Sequence, residues 1–444
     1  MPLIATRGAA SARGFGMFAA VSDSYWIATL SNASNNARGK RIALDSAKNI
    51  YVVGYEIDLS YNYQVFITKY NPSGVIQWQR YLGSARSGFG SGVAVDSSNN
   101  IYFTGYIDEL PPAGANLKAS IVAKYNSSGT LQWQRILRDT VTTAGVYGNG
   151  IAVDSSSNVY VTGYYYNGAN YDILLYKLNS SGTIQYQKSI STSYFDMSDS
   201  ITVDSSGNIY IVGSFNDITG PFKILITKID STGSSITWQR SLDDSGNNDN
   251  DFGRDIAVDS SGNVYVVGDS FLTSSCIIAK YNSSGTIQWQ RLLGGTGFGG
   301  STNGYGIALD SSGNVYVTGA NSNNATDCIF AKYNSSGTIQ YQRSLSSSNA
   351  DYGYGLTVDL SGNSVYITGI GNGATNILIT KLPGDGSKTG TYSPYSYGAS
   401  TLTDQAASLT SGTSSLSLGT TSLTADTSSY TDATTSLTST VITI

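Results

Sequence analysis

The chain has 444 residues, 40% of them apolar and only 12% charged, with a formal net charge of -5. That balance offers no basic field to nucleic acid or an anionic membrane, and no run of about 18 apolar residues is present to cross a bilayer as a helix. Histidine is absent, which removes the commonest general base, the Ser-His-Asp triad and most zinc sites.

Residues 1–23 read as an arm. Its core, Ile4-Ala5-Thr6-Arg7-Gly8-Ala9-Ala10-Ser11-Ala12-Arg13-Gly14-Phe15-Gly16, is built of small residues and two arginines. It lacks the long apolar stretch of a secretory signal, so export by that route is not expected. The stretch resembles the starts of tail-associated proteins of marine bacteriophages. That resemblance implies docking on other virion proteins through residues 1–20. A lone strand signal follows, Ser24-Tyr25-Trp26-Ile27-Ala28-Thr29-Leu30.

Residues 24–383 are dominated by seven copies of one unit. An aspartate opening a tight turn, followed by a Tyr-bearing apolar strand and a glycine, recurs at Asp45, Asp96, Asp154, Asp204, Asp259, Asp310 and Asp359. A repeat of about this length made only of strand signals is a β-propeller blade. The fifth copy gives the grammar. Ile256-Ala257-Val258-Asp259 is a strand and Ser260-Ser261-Gly262-Asn263 a turn. Val264-Tyr265-Val266-Val267-Gly268 is a second strand, Ile277-Ile278-Ala279-Lys280-Tyr281 a third, and Ile287-Gln288-Trp289-Gln290-Arg291 a fourth. All five tryptophans (Trp26, Trp78, Trp133, Trp238, Trp289) occupy one position of the fourth strand, with Tyr186 and Tyr341 in the other two copies. Because side chains alternate along a strand, these rings share one face and are expected to pack between blades.

The seventh copy lacks its own fourth strand, and the spare strand at residues 24–30 is expected to supply it. The expected fold class is therefore all-β: a seven-bladed β-propeller closed by an N-terminal outer strand. The sequence Asp-Ser-Ser-Gly-Asn-Val-Tyr-Val-Thr-Gly, Asp310 to Gly319, resembles the repeat of SBBP-type seven-bladed propellers, with kinship to NHL-type blades. Cys276 and Cys328 hold nearly equivalent places in consecutive copies, too far apart for a bridge, so two free buried thiols are expected. Lys69, Lys124, Lys177, Lys228, Lys280, Lys332 and Lys381 align on the third strands and are expected to pair with neighbouring aspartates.

The turns between the first and second and between the third and fourth strands are short and repetitive. The second-to-third loops and the blade-to-blade links vary, and recognition usually sits on variable loops held by a rigid scaffold. Candidate ligand-binding residues there are Tyr61 and Tyr63 in one loop and Tyr164, Tyr165, Tyr166 and Tyr171 in another. Tyrosine offers a flat apolar ring with a polar tip, suited to sugars or protein surfaces. Asp243, Asp244, Asp249 and Asp251 form a candidate metal cluster, with calcium as the cation it would take; a solvated loop is the competing reading. No other cofactor is expected.

Residues 384–444 read as a Ser/Thr-rich periodic tail. Leu402, Leu409, Leu416, Leu423, Tyr430, Leu437 and Ile444 fall seven apart. Thr, Ser, Gly and Asp between them are poor helix formers, and one apolar position per heptad does not make a coiled-coil seam. Short β-rich units are expected instead, stacking on one another or on tails of other subunits in a homo-oligomer.

These features favour a non-enzymatic virion structural protein, tail- or fibre-associated, presenting its propeller to a host-surface glycan or protein or to other virion proteins. A bacterial surface or secreted lectin-like adhesin is the alternative. A polysaccharide-degrading enzyme ranks third, since Glu56, Glu109 and the Asp243 to Asp255 cluster are the only acids at hand for it. No nucleic-acid partner and no membrane insertion are expected.

Overall fold

Each repeat begins to fold around its aspartate. Asp45 Oδ1 accepts the backbone N–H groups of Ala47 and Asn49 at 2.9 and 2.8 Å. Its Oδ2 accepts the Asn49 amide at 2.8 Å and the Tyr51 hydroxyl at 2.9 Å. The same four bonds recur at Asp154 with Ser156, Asn158 and Tyr160. One carboxylate therefore shapes the turn and anchors the next strand's tyrosine. Burial pushes the Asp154 carboxyl up, but the bonds from Asn158, Tyr160 and Ser156 outweigh it and hold it below its ordinary value. Asp96 and Asp204 are lowered by the same balance. A depressed carboxylate stabilises the fold above about pH 4, the unfolded value, and that stability is lost as pH falls through the folded value. Asp154→Ala is expected to cost about 2 kcal/mol by stranding Tyr160 and Asn158. Urea unfolding of the variant and the parent at pH 7 and pH 3 checks this, and the gap should narrow at the lower pH.

This is a computed structural model. It describes residues 24–31, 37–57, 62–83, 87–109, 117–138, 145–192, 194–216, 220–243, 250–271, 273–294, 301–322, 326–372 and 376–399, and the backbone of six short strands between 404 and 443. The N-terminal arm, residues 1–23, lies outside the described residues.

The first strand, β1 (Trp26–Ser31), is followed by the first complete blade: β2 (Ala37–Leu44), β3 (Ile50–Ile57), β4 (Tyr63–Tyr70) and β5 (Ile76–Gly83). All are antiparallel neighbours, with β2 innermost and β5 outermost. Five further four-stranded blades repeat this order, and the seventh has three strands of its own (Tyr352–Val358, Ser364–Gly371, Asn376–Pro383). The seventh is completed by β1, which pairs antiparallel with its third strand from Trp26↔Lys381 to Leu30↔Ile377. The chain is thus a seven-bladed propeller closed from its N-terminal side.

The core lies between blades. Val53, Val65 and Ile67 of one sheet pack on Phe103, Ile107 and Ile121 of the next. The rim is clasped by the outer-strand aromatics of six blades, while Tyr186 in the third only packs on the turn at Gly233. The indole N–H groups of Trp78, Trp133, Trp238 and Trp289 donate to the carbonyls of Ser127, Ser180, Ser283 and Ser335 in the following blade, each at 3.1 Å. Tyr341 donates to Gly384 O at 2.7 Å, and Trp26 to Pro72 O at 3.2 Å, which joins the seventh blade to the first. Gly129 shows why a glycine sits in the receiving turn: its φ is +79°, and a Cβ there would meet the Trp78 ring.

The third-strand lysines differ from the expectation of ion pairs. Lys69 Nζ donates to Ser127 O at 2.9 Å and Lys280 to Ser335 O at 3.2 Å, with the ammonium groups 5.3 and 5.0 Å from the Tyr51 and Tyr265 ring centroids. The tyrosine hydroxyl already occupies the aspartate, so the lysine lies over the ring and bonds the next blade. Both cysteines are buried and free, as expected.

Beyond the seventh blade the chain turns back around the rim. Strand Tyr395–Ala399 pairs with the outer strand of blade six. Asp404–Ala406, Thr410–Gly412, Ser417–Thr420, Thr424–Thr427 and Thr431–Ala433 pair in turn with blades five, four, three, two and one. Thr438–Thr443 pairs with β1. The seven-residue period thus corresponds to one step from blade to blade, in the direction opposite to the blade order. The periodic residues themselves, from Leu402 to Ile444, lie outside the described residues.

Candidate functional site

The inner strand of every blade carries a bulge. In the first blade Gly39 pairs with Gly54 and Arg41 with Val53, leaving Lys40 as the extra residue. Ser91, Asn149, Asp199, Arg254, Tyr305 and Tyr354 are left over in the same way in the other six. A bulge re-aims its unpaired side chain. The glycine within each Tyr-bearing strand permits it: a Cβ on Gly163 would collide with the Tyr147 carbonyl, and one on Gly54 with that of Arg38. The Val/Thr-Gly signature of the repeat is therefore the counterpart of the bulge.

Five bulge residues, Lys40, Ser91, Asn149, Asp199 and Arg254, line one cavity of about 450 Å³ at the axis. It opens on the face of the variable loops, because β2 starts and β3 ends there. Tyr55, Tyr106, Tyr164 and Ser214, from the ends of the second strands, form its upper wall with Phe89, Met197 and Phe252. Arg41, one residue deeper, crosses the axis: its guanidinium donates to Tyr354 O at 3.0 Å and Arg254 O at 3.3 Å. The site is a funnel of a volume typical of ligand pockets.

Its two sides differ chemically. Blades one to three present a continuous aromatic arc, with ring centroids 4.8 Å apart for Tyr55–Phe89 and for Phe89–Tyr106, 5.0 Å for Tyr106–Tyr147 and 4.6 Å for Tyr147–Tyr164. Around the rest stand charges. Arg254 Nε lies 2.7 Å from Asp269 Oδ2, and its Nη1 3.9 Å from Asp199 Oδ2. Burial raises both carboxyls, opposed chiefly by Arg254. Lys40 Nζ lies 4.3 Å from the Tyr354 ring centroid. Burial, then Arg41, Arg38 and Arg254, push its ammonium down to about 8, with Asp199 opposing.

Of the tyrosines singled out from sequence, Tyr164 lines the funnel. Tyr63 packs behind the arc, 4.4 Å from Phe89, and Tyr171 sits 5.4 Å from Tyr164. Tyr166 stacks edge-on with Tyr171, and Tyr165 donates to Asp172 at 3.4 Å; neither reaches the cavity. Tyr61 lies outside the described residues. On the same face Phe195 and Phe271 are exposed. Asp244 and Asp249 also lie outside the described residues, while Asp243 Oδ2 is 3.6 Å from Lys223 and Asp251 is buried at the head of its strand. Glu56 is paired with Gln64 on the neighbouring strand, away from the cavity lining.

Sequence reasoning passed over the bulge residues. Their signal was present: one freely varying position inside an otherwise repetitive inner strand, as in Gly304-Tyr305-Gly306 and Gly253-Arg254-Asp255.

Comparison with known proteins agrees with this architecture. The family model of the SBBP beta-propeller repeat matches residues 77–110, 140–164, 245–270 and 288–324. An uncharacterised WD repeat-containing protein of Acanthamoeba polyphaga mimivirus is 25% identical over 193 residues; the match covers 32% of this chain and 13% of that protein. Among solved structures, the RRP9 WD40 repeats superpose with a TM-score of 0.53 at 12% identity, covering 80% of this chain and 97% of that one. U3-55K does so with a TM-score of 0.53 at 11% identity, covering 80% and 98%. These likenesses are of fold.

Proposed function

We propose that the chain is a non-enzymatic virion structural protein, tail- or fibre-associated, whose propeller recognises a host-surface molecule through the axial funnel. The observation that carries this reading is the funnel itself: an aromatic arc from three blades faces unpaired cations at the mouth of a pocket on the loop-rich face. Rigid aromatic surface with a few placed polar groups is recognition chemistry. The charged pair Arg254–Asp269 is locked on itself, which suits a fixed wall rather than a proton carrier. The relative encoded by a virus supports the viral setting. Residues 1–20 supply the anchor to other virion proteins in this reading.

The test uses the full chain. Mass spectrometry of purified particles should find it, and deletion of residues 1–20 should leave a folded protein that no longer joins them. Tyr106→Ala with Tyr164→Ala should weaken adsorption to host cells at least tenfold. Undiminished adsorption by that double variant would refute the funnel's role; continued incorporation without residues 1–20 would refute the anchor.

A further inference from the structure

The funnel carries more positive charge than the chain itself satisfies. Arg254 is met by Asp269 and Asp199. Lys40 and Arg41, which line the funnel, and Arg38, which lies behind the lining against Tyr55, have no carboxylate within ion-pair distance among the described residues. Arg41 bonds only backbone carbonyls, Arg38 Nε is buried without a partner, and Lys40 has ring faces for neighbours. Gathering like charges in a partly desolvated pocket is costly unless an anion completes them. Beside them the aromatic rings tile one wall, alternately edge-on and stacked. Such a wall accepts the apolar face of a saturated ring on one side, while Ser91, Asn149 and Ser214 offer groups for hydroxyls.

We infer that the funnel binds an acidic saccharide, its sugar ring against Phe89 and Tyr106 and its carboxylate on Lys40 and Arg41. Guanidinium and ammonium groups bind carboxylates through charge-assisted hydrogen bonds. A neutral sugar would leave the cations unpaired, and a bare anion would leave the arc unused. The inference rests on the funnel being the recognition site. Binding of a neutral glycan instead would defeat the inference and leave that reading standing.

A pH dependence follows. The groups facing Lys40 are Arg38, Arg41, Arg254, Asp199, Tyr55 and Tyr354. Burial raises both tyrosines, which keeps them neutral. Lys40 is the cation that loses its proton near pH 8. Affinity for the acid should therefore fall as pH rises from 7 to 9, the protonated ammonium being the binding form.

The experiment titrates the full chain with sodium D-glucuronate, D-glucose and sodium acetate, using saturation-transfer NMR for contact and calorimetry for affinity. Glucuronate is expected to bind at least tenfold tighter than either control, and about threefold or more weaker at pH 9 than at pH 7. Lys40→Met should abolish the preference over glucose with the unfolding midpoint unchanged. Phe89→Ala should weaken glucuronate binding while acetate stays the same. Equal affinity for glucose and glucuronate, acetate as strong as glucuronate, or no transfer to glucuronate would each overturn the inference. The wild-type comparison decides even where a variant fails to fold.

Discussion

Trp26→Ala is expected to be the most destabilising aromatic truncation in the ring, at about 4 kcal/mol. Trp26 is only 1% exposed, against 8% for Trp238, whose indole makes the same clasp in the fourth blade. The difference arises from position. Trp26 stacks on Tyr70 of the first blade at 6.2 Å and bonds Pro72 O, while its own strand is held on one side by the third strand of blade seven and on the other by Thr438–Thr443. Losing the indole removes a large apolar contact, opens a cavity and strands a carbonyl at the one joint where the ends of the ring meet. Trp289 is only partly buried, so Trp289→Ala should cost less, about 2–3 kcal/mol. Equilibrium urea unfolding followed by far-UV circular dichroism compares the two. Equal midpoints would show that the closing joint bears no special load.

How much of this was written legibly in the sequence depends on the range over which each signal acts. Asp259 through Gly268 is a local pattern, a turn followed by a β-branched strand, and seven copies of it determine the blade count. Trp26 announced ring closure because the seventh copy lacked a fourth strand and the front of the chain had one to spare. The funnel was hidden for the opposite reason. Lys40, Ser91, Asn149, Asp199 and Arg254 are scattered over more than two hundred residues, and only the bulge and seven-fold closure bring them to one axis. Tyr164 was found because four aromatics crowd its loop, whereas Tyr55 and Tyr106 stand singly after a repeat glycine and resembled ordinary strand residues. The third-strand lysines misled for want of geometry. Spacing placed them near aspartates, but the hydroxyl of the tyrosine opposite, on the neighbouring strand, had already claimed the acceptor.

Ending the chain after residue 399 is expected to turn a monodisperse protein into one that self-associates with rising concentration. Five of the complete blades and the closing strand β1 receive a further strand from the segment between 404 and 443, each through antiparallel backbone pairing. Without it those outer strands present free N–H and C=O groups, the template for edge-to-edge pairing between molecules. The four-stranded blades, the clasps and the funnel are built upstream, so the truncated chain should still fold, with amides of Arg135–Arg138 and Lys188–Ser191 losing protection in hydrogen exchange. Light scattering across a concentration series then separates two roles for the tail. If the segment pairs on its own rim, truncation creates association. If it joins subunits, the full chain is the oligomer and truncation dissolves it into monomers. The period favours the first outcome, since seven residues of extended chain reach at most about 25 Å, a step suited to moving from one blade edge to the next.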